Sequence, residues 1–131
     1  MTALENYVPW YNPEVPLSPK YPKVYNSDGE LLKFFFLRDR DFANSPYGSC
    51  GKYFIWDRYN YGLETHFYSM EEIFKPIGKP KRRFAMLNES RSIKPWVYKA
   101  VLENKSWMEK NYDLVFTFDS EVLVNLKNAR L

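Results

Sequence analysis

The sequence predicts an α/β domain built on a mostly parallel sheet, and three observations support that prediction. Short apolar runs alternate with helix-like segments, most clearly in residues 81–131. The runs Phe84–Leu87 and Leu114–Phe118 each end in a polar cluster, and one amphipathic segment separates them. That order is typical of a strand, a crossover helix and a parallel strand. Hydrophobic residues make up 45% of the chain and charged residues 27%, as in globular domains.

The first part of the chain is rich in proline and aromatic residues. Five of the nine prolines lie between Pro9 and Pro22, interleaved with one tryptophan and two tyrosines. Because proline fixes φ and lacks an N–H group, this density forbids a helix or a central strand. An Asn-Ser-Asp-Gly turn signal follows at 26–29. We therefore expect residues 1–28 to be an irregular arm that lies on a surface or binds a partner, and residues 29–131 to form the α/β domain.

The first half of this domain contains two apolar strands and a short helix. The apolar run at residues 31–37 predicts a strand that is mostly buried on both faces. Residues 52–56 predict a second, shorter strand. Ser69 and Glu72 have the spacing of a capping box. This spacing predicts a short helix that runs to about Phe74 and stops before the next proline.

The second half is predicted to alternate strands and helices up to its last residue. Pro95 suits the first turn of a helix, and Val97, Ala100, Val101 and Met108 then share one face. The predicted elements are a strand at 84–87, a helix at 95–111, a strand at 114–118, a short helix at 121–126 capped by Asp119 or Ser120, and the start of a strand at 129–131. Because a strand begins at the final residues, we expect the chain to be the front portion of a longer protein or to need a partner.

Charge and cysteine content limit the classes of function. The net charge of +3 is too small to indicate nucleic-acid binding. Cys50 is the single cysteine, which excludes an internal disulfide and suits a reducing compartment. The chain start lacks the pattern of a signal peptide, and the longest apolar run, 34–37, is too short for a transmembrane segment. We expect a cytoplasmic protein, with peripheral attachment at the inner membrane as an option.

The polar clusters after the two strands are the main candidates for a site. Because the carboxyl ends of parallel strands meet at one edge of a sheet, Asn88, Glu89 and Ser90 are expected near Asp119 and Glu121. Glu89 can act as a general base if burial tunes its pKa, and is otherwise a solvated loop carboxylate. Asp119 can face a ligand or simply cap the following helix.

Aromatic and hydrogen-bonding residues also mix at the end of the second predicted strand. Trp56, Asp57 and Tyr59 are typical of a sugar-binding loop, although a packed loop with an Asp57–Arg58 network explains them as well. His66 is the only histidine, so it cannot build a zinc site alone. It is a candidate base or sugar ligand, with a hydrogen-bonded structural histidine as the alternative.

Two further patterns involve charged residues. Asp39 and Asp41 form a D-x-D pattern after an apolar strand, with which one class of nucleotide-sugar transferases holds a divalent ion against a diphosphate. Neighbouring arginines compete for these carboxylates. Arg91 and Lys94 lie beside the predicted start of the long helix, where they suit an anion. The basic run at 81–83 is expected to be a solvated cluster.

The residues at the two strand ends also carry a resemblance. Met86–Ser92 and Phe116–Glu121 resemble the α1,3-fucosyltransferase family, in which one strand ends in Glu-Ser-Pro and a later one in Tyr-Arg-Arg-Asp-Ser-Asp. Residues 52–131 as a whole resemble fucosyltransferase-like proteins of bacterial capsule and lipopolysaccharide clusters. Arg91 stands in place of the family's proline, and Phe118 stands where the paired arginines lead into the aspartate.

The resemblance implies the acceptor-side, Rossmann-like half of a two-domain, GT-B-type inverting transferase acting on a surface glycan. Glu89 would deprotonate the acceptor hydroxyl. The residues expected to shape the acceptor pocket are Trp56, Asp57, Tyr59, His66, Asn88, Arg91, Asp119 and Glu121. A GDP-fucose-like nucleotide sugar would bind to a C-terminal donor domain, supplied by a longer chain or a partner, so this domain alone would hold no cofactor. The alternatives are a non-catalytic module that binds a glycan or a protein, and a metal-dependent transferase centred on Asp39 and Asp41.

Overall fold

The computed structural model describes residues 25–39, 54–58 and 60–131. The strands are β1 (Lys33–Arg38), β2 (Phe54–Asp57), β3 (Thr65–Ser69), β4 (Arg82–Leu87), β5 (Leu114–Thr117) and β6 (Ala129–Arg130). A 3₁₀ helix (Met70–Phe74) follows β3. The α-helices are α1 (Pro95–Glu103) and α2 (Lys105–Asn111), which lie between β4 and β5, and α3 (Ser120–Asn125), which follows β5.

The six strands form one sheet with the order β2-β1-β3-β4-β5-β6. Every neighbouring pair is parallel, which confirms the prediction of an α/β domain with a parallel sheet. The chain adds β2 on one side of β1, and then adds β3 to β6 in sequence on the other side. The direction of winding therefore reverses between β1 and β3.

The main core lies between the sheet and the helices. Its strand residues include Phe36, Tyr68, Ala85, Leu87 and Val115, and its helix residues include Val97, Tyr98, Val101, Met108 and Val122. The apolar spacing predicted for the long helix therefore does face the core. That helix is interrupted, however, because the backbone leaves helical dihedral angles at Asn104, whose side-chain amide donates to the Ala100 carbonyl at 2.8 Å. The single helix predicted over 95–111 is thus two shorter helices.

The main departure from the sequence prediction is β3, which the apolar pattern did not indicate. This strand pairs with both β1 and β4 and occupies the interior of the sheet. The predicted capping box is wrong, because the Ser69 side chain makes no capping hydrogen bond. Its hydroxyl donates instead to Oδ1 of Asn88 at 2.9 Å, while Glu72 forms an ion pair with Arg38 at 3.2 Å.

Other local predictions agree with the structure. The turn at 26–29 is closed by the Gly29 N–H, which donates to the Asn26 carbonyl at 3.0 Å. Of the two proposed caps for α3, Asp119 is the one used, since its carboxylate accepts from the Val122 N–H at 3.0 Å. Most of the predicted arm, Asp41, Cys50 and Tyr59 lie outside the described residues. None of the helices in the described ranges is both long and apolar enough to cross a membrane.

The linker before β4 depends on a glycine. Gly78 has φ of +67°, and a Cβ atom there would lie 3.1 Å from the Tyr61 carbonyl oxygen and 3.4 Å from Cε1 of His66. We expect Gly78→Ala to lower the free energy of unfolding by about 2 to 4 kcal/mol, because strain and crowding add. Urea unfolding would measure this loss.

Gly29 offers a matched control. Its φ is +79°, but a Cβ atom there would have no neighbour within 4 Å. Gly29→Ala should therefore cost only the strain of the left-handed backbone, about 1 kcal/mol. Equal losses for the two variants would show that the contact with Tyr61 and His66 contributes nothing.

Candidate functional site

A cavity of about 270 Å³ opens at the carboxyl ends of β1, β3 and β4. It is lined by Asp39, Ser69, Met70, Glu71, Asn88, Glu89 and Lys94. The carboxyl ends of β1 and β3 flank the point at which the winding of the sheet reverses. In open parallel sheets, ligands bind in the crevice that this reversal leaves outside the carboxyl ends. The cavity therefore occupies the position at which such a fold offers a ligand site.

Of the residues predicted to form the acceptor site, Asn88 and Glu89 line this cavity. Asn88 is held by the Ser69 hydroxyl, which donates to its Oδ1 at 2.9 Å. The backbone at Glu89 is anchored because its carbonyl accepts a hydrogen bond from the Tyr98 hydroxyl, and the Tyr98 side chain is fully buried in the core. The Glu89 carboxylate itself is 41% exposed, with Nζ of Lys94 at 4.0 Å. The site thus presents an accessible carboxylate on a fixed backbone.

The sequence analysis missed the ion pair at the base of the cavity, between Glu71 and Lys94. Nζ of Lys94 lies 2.9 and 2.8 Å from the two carboxylate oxygens of Glu71. The Glu71 side chain is only 8% exposed and that of Lys94 24%. Lys94 was predicted to meet an anion, and the structure supplies one from within the chain. No short-range pattern could pair two residues separated by a strand and a loop.

The backbone at Met70 is strained where it lines the cavity. Its φ is 52°, in the left-handed region, which costs a residue with a side chain about 1–2 kcal/mol. The side chain is buried, so packing holds the residue in this conformation. Strained backbone of this kind is concentrated at active and binding sites. It turns the chain sharply from β3 into the 3₁₀ helix, which brings Glu71 to the cavity wall.

Arg91 joins the ends of β4 and β5, which the sequence predicted to lie together. Its guanidinium donates to both carboxylate oxygens of Asp119, at 3.0 and 2.7 Å, and lies 2.9 Å from Glu121. It also lies over the Tyr98 ring, 5.4 Å from the centroid. The hydrogen bond from Arg91 lowers the pKa of Asp119, which therefore stays ionised. Arg91, Asp119 and Glu121, which were predicted to shape the acceptor pocket, are not among the residues that line the cavity. They are linked to it through Tyr98, whose hydroxyl donates to the Glu89 carbonyl.

The structure places His66 and Asp57 away from the cavity. Both are fully buried. Nε2 of His66 lies 2.9 Å from the Tyr61 carbonyl and Nδ1 lies 2.9 Å from the Tyr68 hydroxyl, so the ring is a hydrogen-bonded structural histidine. Asp57 accepts from the Asn60 N–H at 3.1 Å. Neither residue lines the cavity, so the prediction that they shape the acceptor pocket is not supported there.

Trp56 also lies apart, on the sheet face opposite to the main core. Its ring packs between Phe54 at 4.8 Å and Phe67 at 5.0 Å, measured between ring centroids. Its predicted partner Tyr59 is outside the described residues. Within the described residues, Trp56 therefore packs on the sheet and does not line the cavity.

The carboxylate of Asp39 reaches the cavity, but an arginine holds it. Arg58 donates to both of its oxygens, at 2.9 and 3.1 Å. The sequence predicted competition from the neighbouring Arg38 and Arg40, but Arg38 pairs with Glu72 and Arg40 lies outside the described residues. Asp41, the companion of Asp39, falls outside the described part of the chain. Within that part, no group of three or more His, Cys, Asp or Glu side chains has the arrangement of a metal site.

Charged side chains dominate the described lining of the cavity. Three carboxylates, from Asp39, Glu71 and Glu89, line it together with one ammonium group, from Lys94. Among the described residues, Arg58 pairs with Asp39 and Lys94 pairs with Glu71, while the Glu89 carboxylate lies 4.0 Å from the same ammonium group. This lining offers acceptors and donors for hydroxyl groups.

No protein-family model matches this chain, and no match is found among curated proteins or solved structures.

The buried histidine predicts how stability depends on pH. Burial lowers the pKa of His66 from 6.5 to about 4. The unfolded chain takes up a proton below pH 6.5, while the folded chain does so only near pH 4. The contribution of His66 to stability is therefore complete above pH 6.5 and is lost as the pH falls through this window. The slope is up to about 1.4 kcal/mol per pH unit.

Urea unfolding at several pH values, from about 7.5 down to about 4, would measure this slope. His66→Gln is the matched variant, because a glutamine amide can donate to the Tyr61 carbonyl and does not titrate. It should be less stable at neutral pH and should show a shallower slope. An unchanged slope in the variant would mean that other groups cause the pH dependence.

Proposed function

We propose that this domain binds the acceptor sugar of an inverting, fucosyltransferase-like glycosyltransferase, with Glu89 as the base. The observation that carries the proposal is the cavity at the carboxyl edge of the sheet, where the winding reverses. Glu89 follows β4, in the segment that resembles this family, and its accessible carboxylate lines the cavity. A donor-binding half, in a longer chain or a partner, would supply the GDP-fucose-like nucleotide sugar.

The dimensions of the cavity suit a small polar ligand. Its volume of about 270 Å³ is near the lower end of ordinary ligand pockets, which range from about 300 to 1,000 Å³. Ser69, Asn88 and Lys94 provide hydrogen-bonding groups around it. A single sugar ring of a longer glycan, with the rest of the glycan in solvent, fits this description.

The accessible carboxylate of Glu89 supports an acceptor in preference to a nucleotide. A sugar donor carries a diphosphate, which this carboxylate would repel, and among the described residues Lys94 and Arg91 are already paired with carboxylates. An uncharged acceptor meets no such cost. The acceptor hydroxyl gains a charge-assisted hydrogen bond from the same carboxylate.

The position of Glu89 suits the removal of a proton from the acceptor. In the proposed reaction, the acceptor hydroxyl loses its proton to Glu89 as its oxygen bonds to the anomeric carbon of the donor, and the nucleoside diphosphate leaves. The base must come within about 2.6–3.2 Å of that hydroxyl. The Tyr98 hydroxyl fixes the backbone from which the carboxylate extends, so that the side chain starts from a fixed position at the cavity.

The substitution Glu89→Gln tests this proposal, because it keeps the shape of the side chain and removes its charge and basicity. We expect the affinity for an oligosaccharide acceptor, found by screening a glycan array with the full chain, to fall about tenfold or more. Titration calorimetry would measure the change. When a donor half is present, transfer should fall about 10²- to 10⁴-fold.

Glu103→Gln is the matched control, since Glu103 is an exposed carboxylate on α1 that pairs only with Lys99 among the described ion pairs. It should leave binding and transfer unchanged. Binding that survives Glu89→Gln unaltered, with no transfer by any assembly that contains this domain, would favour a non-catalytic binding module. A chain that binds no glycan at all would contradict the acceptor site itself.

A further inference from the structure

Asn88 and Glu89 give the cavity a hydrogen-bond donor and an acceptor on consecutive residues. Both line the cavity, and Asn88 is exposed. The Asn88 amide is oriented, because the Ser69 hydroxyl donates to its Oδ1 at 2.9 Å and Ser69 is itself buried. This bond leaves the Nδ2 group, with its two N–H donors, for a ligand. Within the described part of the chain, no protein group accepts a hydrogen bond from this Nδ2.

The other side-chain donors of the described lining are already directed at protein groups. The Ser69 hydroxyl donates to Asn88, and Nζ of Lys94 donates to both carboxylate oxygens of Glu71. Glu89 supplies the acceptor next to the Asn88 amide, since its carboxylate is 41% exposed and Nζ of Lys94 is 4.0 Å away. The lining thus presents a neutral amide donor beside an accessible carboxylate.

We propose that this pair recognises two hydroxyl groups on adjacent carbons of one sugar ring, and that Asn88 selects which hydroxyl of the acceptor reacts. The inference rests on the proposed function and specifies its substrate class. The reacting hydroxyl donates its proton to Glu89, while its neighbour accepts a hydrogen bond from Nδ2 of Asn88. A sugar without the second hydroxyl would leave the amide unpaired, which is how a polar site rejects such an analogue.

Two hydroxyls suit the pair better than one. A hydroxyl oxygen has two lone pairs, and a hydrogen bond from Asn88 to the reacting oxygen would occupy one of them as the oxygen attacks the donor. The neighbouring hydroxyl can accept that bond without weakening the nucleophile. Because Asn88 and Glu89 follow one another in the chain, their polar groups extend from adjacent points of the cavity wall. Adjacent carbons of a ring present hydroxyls in a matching arrangement.

Deoxy sugars provide the test. Binding of the full chain is measured by NMR titration with the methyl glycosides of glucose, galactose and mannose, and then with each monodeoxy derivative of the one that binds best. Asn88→Ala should weaken binding of that glycoside about three- to tenfold, as expected for loss of one hydrogen bond. It should not change the affinity for the one derivative that lacks the hydroxyl bound by Asn88. Glu89→Gln should leave a different derivative unaffected, which lacks the hydroxyl on the adjacent carbon.

Two further variants accompany this test. Ser69→Ala keeps the Asn88 amide and removes the hydroxyl that orients it, so it should weaken binding less than Asn88→Ala and leave the same derivative unaffected. Asn125→Ala is the control, since its amide donates to the Glu121 carbonyl on α3 and Asn125 is not among the residues that line the cavity. It should change none of the affinities. Unchanged amide resonances away from the cavity would show that each variant is folded.

The possible results separate this inference from the proposed function. Binding of a glycoside that Asn88→Ala does not weaken would overturn the inference alone, as would two variants that point to the same hydroxyl or to carbons that are not adjacent. Guanosine carries two adjacent hydroxyls on its ribose. If it binds more tightly than every glycoside and loses affinity in Asn88→Ala, the diol site stands and the glycan acceptor is contradicted. Failure to bind any of these probes would overturn both.

Discussion

The reversal of winding between β1 and β3 is the constraint on which the rest of the structure depends. The connection after β1 leads to β2 on one side, and the connection after β3 leads to β4 on the other. Since successive connections diverge at this point, a crevice is expected outside the carboxyl ends of the two strands. The crevice that results contains Asp39 and Glu71. A sheet wound in one direction throughout would close this edge.

Three strand ends meet at the crevice, and polar contacts hold them in register with one another. Ser69 joins the end of β3 to the end of β4 through Asn88, and Lys94 joins the start of α1 to Glu71. A buried charge that lost its partner would be costly to keep in the fold. The Glu71–Lys94 pair is therefore a structural support as well as a wall of the cavity, and this leaves Glu89 as the carboxylate that is free to vary its contacts.

The sequence predicted those parts of the fold and site that depend on local pattern. Phe84–Leu87 and the residues after it were recognisable because an apolar run ended in polar residues, and this located Asn88 and Glu89 at the sheet edge. The strand β3 was missed because His66 and Tyr68 interrupt its apolar character. Their polar atoms are satisfied by Tyr61 and Ile77, which a pattern of single residues cannot show. The pairing of Glu71 with Lys94 was missed for the same reason.

The two faces of the sheet differ in how their buried side chains are stabilised. On the helix face, buried polar groups such as His66 are tolerated because backbone carbonyls lie within hydrogen-bond distance. On the opposite face, Phe35, Phe67 and Phe84 carry no polar groups, and their rings pack against one another, with centroids 5.6 Å apart between Phe35 and Phe67 and 5.1 Å apart between Phe67 and Phe84. These side chains need no hydrogen-bond partners, and contacts between rings on neighbouring strands stabilise this face instead.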